Sequence, residues 1–232
     1  MNYILLIDTS GDNGFVALGR DGQLVARRQG ADARNYAATL NLQVEEVLAE
    51  AGITLKDLAA VAVCGGPGSY TGLRIGLSTA KGYCYVLDKP LMLHSKLLLL
   101  VVAQYYKHLL KYDNYTAVLP ARDKEFFIAS YSNNLHPITE PRHVFEGELA
   151  EVLAPLKSKK LLTGLANALP AQLLEECEID IEHNDVIDVN SWMRYAFEQF
   201  NCNGFVNLAN AEPFYLKQVY THKSNKINDL SK

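Results

Sequence analysis

The chain has 232 residues, 49% of them hydrophobic and 21% charged. That composition excludes a disordered or disulfide-stapled protein, and the length allows one α/β fold or two lobes of roughly 100 to 130 residues each. A net charge of −4 argues against an autonomous nucleic-acid binder, which needs a surplus of Lys and Arg to displace counterions from phosphates.

Tyr3–Asp8 (YILLID) is a continuous apolar run, the pattern of a buried strand. A turn-rich stretch, Asp8 to Gly14, leads to a second strand over Phe15–Gly19. Asp21-Gly22 marks a hairpin into a third, Leu24–Arg28. A helix follows over Arg34–Ala51, stopped by Gly52, and then a buried strand over Ala59–Cys64. The glycine-rich stretch Gly65–Gly76 (GGPGSYTGLRIG) leads into a helix over Leu73–Leu87, which Lys89-Pro90 ends. A short strand over Leu91–Leu93 and a helix capped by Ser95 and running to Leu110 complete the first half.

The second half opens the same way. Tyr115–Leu119 and Phe126–Tyr131 read as antiparallel strands around Arg122-Asp123-Lys124-Glu125, with a third over Arg142–Phe145. A buried strand at Leu161–Thr163 lies between helices near Glu148–Leu156 and Ala166–Glu176. A helix over Asn190–Phe200 takes Asn190 or Ser191 as its cap, Glu212–Tyr220 reads as extended, and Thr221–Lys232 as a polar, frayed tail. Strand–helix–strand succession in both halves predicts mixed sheets flanked by helices, and hints at a duplication.

Catalytic constellations are scarce. None of the six histidines (His94, His108, His136, His143, His183, His222) forms HExxH or another i, i+4 pair on a helix, so no metal site is expected. The cysteines Cys64, Cys84, Cys177 and Cys202 include no CxxC pair and read as reduced, buried thiols. Met1-Asn2-Tyr3 lacks a basic n-region, and Leu97–Ala103, the most apolar run, is far short of the roughly 20 residues a membrane span needs. The expectation is a cytoplasmic protein with no membrane contact.

Two candidate sites remain. The strand–helix junction with Gly66, Gly68, Ser69, Thr71 and Gly72 offers free backbone N–H groups and a positive helix end, an anion site. The same glycines equally suit a tight packed corner. Asp8, Thr9 and Ser10 add a carboxylate for a nucleotide-bound Mg²⁺ and two hydroxyls for phosphate, or else a plain turn. The junction is neither a Walker loop nor GxGxxG, and Ser69 has no evident base.

The second site is a pair of helices with too much apolar surface. At about 100° per residue, Tyr36, Leu40, Val44 and Val47 share one stripe of the first helix, and Leu42 lies on another. On the helix after the glycine stretch, Ile75, Thr79, Gly82, Tyr83 and Val86 stand apart from the stripe Leu73, Leu77, Ala80, Cys84 and Leu87. These faces bury on each other or under the second lobe, or they dock a partner.

GGPGSYTGLRIG, the opening ILLIDTS, Arg34-Asn35 before the first helix, Pro120 to Phe126 (PARDKEF) and Pro213 to Lys217 (PFYLK) resemble motifs of the bacterial TsaB (YeaZ-like) family. The resemblance implies an α/β, actin/hexokinase-like (ribonuclease H-like) fold of two lobes, 1–112 and a reduced 113–232. It implies a non-catalytic scaffold supporting a TsaD-type subunit in threonylcarbamoyl transfer to the tRNA adenosine next to the anticodon. A TsaE-type ATPase joins that complex, and tRNA is reached through it. The family docks through first-lobe helices, which makes Tyr36, Leu40, Leu42, Val44, Val47, Ile75, Thr79, Gly82, Tyr83 and Val86 the interface residues here, and the lone chain a candidate homodimer. No cofactor is expected in the subunit alone, with ATP and Mg²⁺ left to the complex. TsaD carries a His-x-x-x-His metal motif on its first-lobe helix; Asn35–Ala51 holds no histidine, and Tyr36 stands where family chains often have one. The competing reading is an ATP-dependent sugar-kinase-like enzyme using Asp8 and the glycine stretch. A peptidase reading has no nucleophile–base pair behind it.

Overall fold

The computed structural model describes residues 1–30, 35–109, 111–156 and 159–216. Strands β1 (Tyr3–Asp8), β2 (Phe15–Arg20) and β3 (Gln23–Gln29) form an antiparallel meander, and β4 (Leu58–Cys64) and β5 (Leu91–His94) join it in parallel, in the order β3-β2-β1-β4-β5. The second sheet repeats this with β6 (Asn114–Arg122), β7 (Glu125–Ser132), β8 (Pro137–Phe145), β9 (Lys160–Gly164) and β10 (Asp180–His183), ordered β8-β7-β6-β9-β10. There β6 is antiparallel to β7 and parallel to β9, as β1 is to β2 and β4. Two sheets of one topology make the fold actin/hexokinase-like, and the hinted duplication is real at the level of strand order.

Local chemistry fixes the ends of the elements. Asp21 and Gly22 both have positive φ (50° and 84°), the type I′ geometry that matches the twist of a hairpin. Helix α1 spans Tyr36–Glu50; Arg34, part of the expected helix entry, lies outside the described residues. Helix α2 spans Tyr70–Leu87, beginning before the expected Leu73, because the Ser69 side chain accepts a bond from Gly72 N–H (3.2 Å). Helix α3 (Lys96–Lys107) follows Ser95, whose side chain makes no capping bond; Leu110 lies outside the described residues. Helices α4 (Leu149–Leu153) and α5 (Ala171–Glu176) are short. Helix α6 (Val189–Asn201) is capped by Asp188, which accepts from Ser191 N–H at 2.8 Å, rather than by Asn190 or Ser191. Strand β8 begins at Pro137, not Arg142; it is an edge strand, where proline is tolerated. Residues 212–216 form no strand, and 217–232, the rest of the expected extended segment and tail, lie outside the described residues.

The side-chain alternation of β1 divides the first core. Leu5 and Ile7 face α1 and α2, together with Leu40, Val44, Val47, Leu77 and Ala80. Ile4 and Leu6 face α6, whose Val189, Trp192, Met193 and Ala196 are buried. On the second sheet Leu97, Leu100 and Val101 of α3 cover one face, while Leu149, Val152 and Leu153 of α4 cover the other. A first-half helix thus packs on the second sheet and a second-half helix on the first. The two meet between the sheets, where Tyr106 Oη donates to Glu198 (2.6 Å) and Arg194 lies 4.0 Å over the Tyr106 ring. Among the described residues no helix is long and apolar enough to cross a membrane. Cys64 and Cys84 are buried, but Cys177 is half-buried and Cys202 exposed, so the expectation of buried thiols holds for only two of the four.

Trp192 anchors α6. Its ring is fully buried, edge-on to Phe15 at 5.7 Å, and its Nε1–H donates to His94 Nδ1 at 2.9 Å. Burial pushes the His94 imidazole down to about 4, so the native state holds it neutral while the unfolded chain protonates near the usual 6.5. This contribution is complete above about pH 6.5 and is lost as the pH falls toward 4, by up to roughly 3 kcal/mol. Urea unfolding from pH 7 to 4 should show the loss in the wild type, with a smaller slope in His94→Asn.

Candidate functional site

The glycine corner joins β4 to α2 and closes on the turn after β1. Asp8, Thr9 and Ser10 are all buried. Thr9 Oγ1 donates to Gly72 O (2.7 Å), Ser69 N–H to Ser10 O (2.7 Å), and Ser10 N–H to Asp8 Oδ1 (2.9 Å). A Cβ on Gly68 would collide with Ser10 O, and one on Gly72 with Thr9 O. Close backbone approach therefore accounts for both glycines, and the Thr9 hydroxyl is engaged within the chain. Gly66 is buried, while Ser69 and Thr71 are exposed at the start of α2.

Asp8 borders a cavity of about 170 Å³ with Ser10, Asp12, Lys96 and Asp185. Known small-molecule pockets run about 300–1,000 Å³, and three carboxylates here face a single ammonium. A second cavity of about 200 Å³, lined by Pro67, Gly68, Leu119, Phe127 and Leu165, shares Lys96 and Asp185 with the first. Among the described residues, no group of three or more His, Cys, Asp or Glu is arranged to hold a metal ion.

The α1–α2 face corrects the sequence reading in part. Tyr36, Leu40, Val44 and Val47 are buried in the first core, at 2% exposure or less, and so are not available surface. Tyr36 instead donates its hydroxyl to Gly11 O at 2.6 Å, and α1 packs this stripe against β2 and β3. Ile75 and Tyr83 are partly buried against the same core, and Thr79 is half-buried. Tyr83 Oη donates to Asn41 Oδ1 (2.6 Å), tying α2 to α1, and burial raises its phenol. Leu42, at 55% exposure, and Val86, at 80%, do lie outside, and a Cβ on Gly82 would meet nothing within 4 Å.

Tyr85, 80% exposed, was missed. It sits about 60° from Gly82 around the helix, at the edge of the expected face, so widening the stripe by one position would have found it. Tyr85 and Val86 thus stand exposed on either side of Gly82 on α2, and Leu42, Ala38 and Ala49 are exposed on α1.

The motif Pro213–Leu216 lies against the glycine corner. Phe214 N–H donates to Gly65 O (2.8 Å), and Lys81 Nζ donates to Ala209 O (3.1 Å) and Ala211 O (3.2 Å). Segment 206–216 thus runs back along the first lobe.

A model of the family described as TsaD, tRNA N6-adenosine threonylcarbamoyltransferase, matches residues 30–152. The tRNA N6-adenosine threonylcarbamoyltransferase of Thermus thermophilus is 38% identical over 103 residues, which cover 38% of this chain and 32% of that protein. The chain thus spans about a third of the length of that relative. The tRNA threonylcarbamoyladenosine biosynthesis protein TsaB of Escherichia coli is 26% identical over 220 residues, covering 92% of this chain and 94% of that protein. The solved structure of YeaZ from Pseudomonas aeruginosa shares the fold with a TM-score of 0.75 at 21% identity, over 93% of this chain and 100% of that one.

The contrast between glycines is measurable. Gly72→Ala should cost about 2–3 kcal/mol, since backbone must move to admit the methyl group. Gly82→Ala, exposed within the same helix, should instead gain about 0.5–1 kcal/mol. Urea midpoints of the two variants against the wild type check both.

Proposed function

We propose, from the premise that the chain belongs to the TsaD family and within it to the TsaB (YeaZ-like) branch, that it is the non-catalytic scaffold subunit of a tRNA threonylcarbamoyltransferase complex. Its partner is a TsaD-type subunit, which carries out threonylcarbamoyl transfer to the adenosine next to the anticodon. The observation that carries this reading is the exposure of Tyr85 and Val86 on either side of open Gly82 on α2, with Leu42 exposed on α1. A small residue between large apolar ones lets a facing helix approach closely, and covering those side chains removes them from water. Alone, the same face pairs two copies of the chain. A TsaE-type ATPase completes the assembly, tRNA is engaged through the complex, and the proposal assigns no cofactor to this chain by itself, leaving ATP and Mg²⁺ to the complex. The sugar-kinase-like alternative is the less favoured, because the cavity beside Asp8 is small and acid-lined.

Co-purification with a TsaD-type subunit tests the proposal. The wild type should form a stable heterodimer. Val86→Glu should weaken it at least about a hundredfold by burying an unpaired carboxylate, with the thermal melt of the free chain unchanged because the position is exposed. Failure of the wild type to associate, or a variant that associates equally well, would contradict the proposal.

A further inference from the structure

We propose that the cleft between the two lobes binds a small zwitterion with an apolar side chain, an aliphatic α-amino acid, its carboxylate on Lys96 and its ammonium on Asp185. The inference goes beyond the scaffold reading and does not rest on it. Lys96 opens α3 just after β5, and Asp185 follows β10. Both residues line both of the adjoining cavities, of about 170 and 200 Å³. Other lining residues also come from just beyond strand ends: Ser10 after β1, Gly68 after β4 and Leu165 after β9. Ligands of open α/β sheets sit in the crevice outside the carboxyl ends of parallel strands.

Lys96 and Asp185 are each half-buried. Among the described residues neither side chain has a hydrogen bond or an ion pair, with the other or with anything else. Opposite charges that border one space without meeting are each short of a partner, and partial burial makes that costly. A molecule carrying both charges satisfies the two at once. Asp8 and Asp12 border the first cavity as well. That surplus of carboxylates repels the several negative charges of a polyphosphate and attracts an ammonium group. Ser10, 3% exposed, lines the same cavity, and its hydroxyl has only the weak acceptor Cys64 Sγ beside it.

The second cavity supplies the apolar half of the site. Leu119, Pro120, Phe127 and Leu165 wall it, and Lys96 and Asp185 stand where it meets the first. An amino acid held by its charged end at that junction places an aliphatic side chain against this wall and out of water.

The test is isothermal titration calorimetry of the full chain with L-leucine, with isocaproate, which lacks the ammonium, with isoamylamine, which lacks the carboxylate, and with ATP and Mg²⁺. L-Leucine should bind saturably, and each analogue at least about tenfold more weakly, since each leaves one charge of the site unpaired. Lys96→Met should weaken L-leucine and isocaproate by a similar factor and leave isoamylamine unchanged. Asp185→Asn should weaken L-leucine and isoamylamine and leave isocaproate unchanged. Absence of saturable L-leucine binding, equal affinity for all three compounds, or indifference to both substitutions would overturn the proposal. So would ATP binding more tightly than L-leucine, since the cleft would then be a nucleotide site. The analogue series on the wild type decides the matter even where a variant fails to fold.

Discussion

Each sheet of this fold has two faces to cover, and the chain covers them crosswise. Helix α6, from the second half, takes the inner face of the first sheet, with Trp192 buried among Phe15, Met92 and Ala62 and bonded to His94. Helix α3, from the first half, takes a face of the second sheet. The lobes cannot part without exposing both cores. This exchange also settles the outer surface. With the inner face occupied, α1 and α2 are confined to the outer one, and a helix lying on a sheet buries only one stripe. Ile75 and Tyr83 of the second stripe of α2 are partly buried, but Val86 in it and Tyr85 at its edge are left exposed.

The glycine corner is the counterpart on the other side of β1. Its most distinctive residues are accounted for by contact with the Asp8–Ser10 turn, where backbone meets backbone. The corner positions α2, the helix that carries exposed Tyr85 and Val86. The strap from Val206 to Leu216 reinforces the same helix from outside through Lys81 and Arg74.

Much of the fold was legible because local signals agree with it. The apolar runs of β1 and β4 and the Asp21-Gly22 turn each name their structure without outside help. Periodicity sorts residues into stripes but does not say which stripe meets the sheet, so Tyr36, Leu40, Val44 and Val47 were grouped with the docking surface although they form the core. The edge strand β10 carries the polar sequence DIEH and has no apolar signature to read. The cap of α6 was misplaced by two or three residues because Asp188, Asn190 and Ser191 are all good caps, and only the fold selects among them. The crossing of α3 and α6 depends on contacts between residues some ninety positions apart, such as Tyr106 with Glu198.

The central claim is that the outward side of α1 and α2 belongs to another polypeptide. Hydroxyl-radical footprinting of the chain, free and mixed with a TsaD-type subunit, reads it side chain by side chain. The account predicts that Leu42, Tyr85 and Val86 lose reactivity in the complex while exposed Phe145 and Ile181 of the second lobe keep theirs. A complex that forms with Tyr85 and Val86 as reactive as before would contradict it.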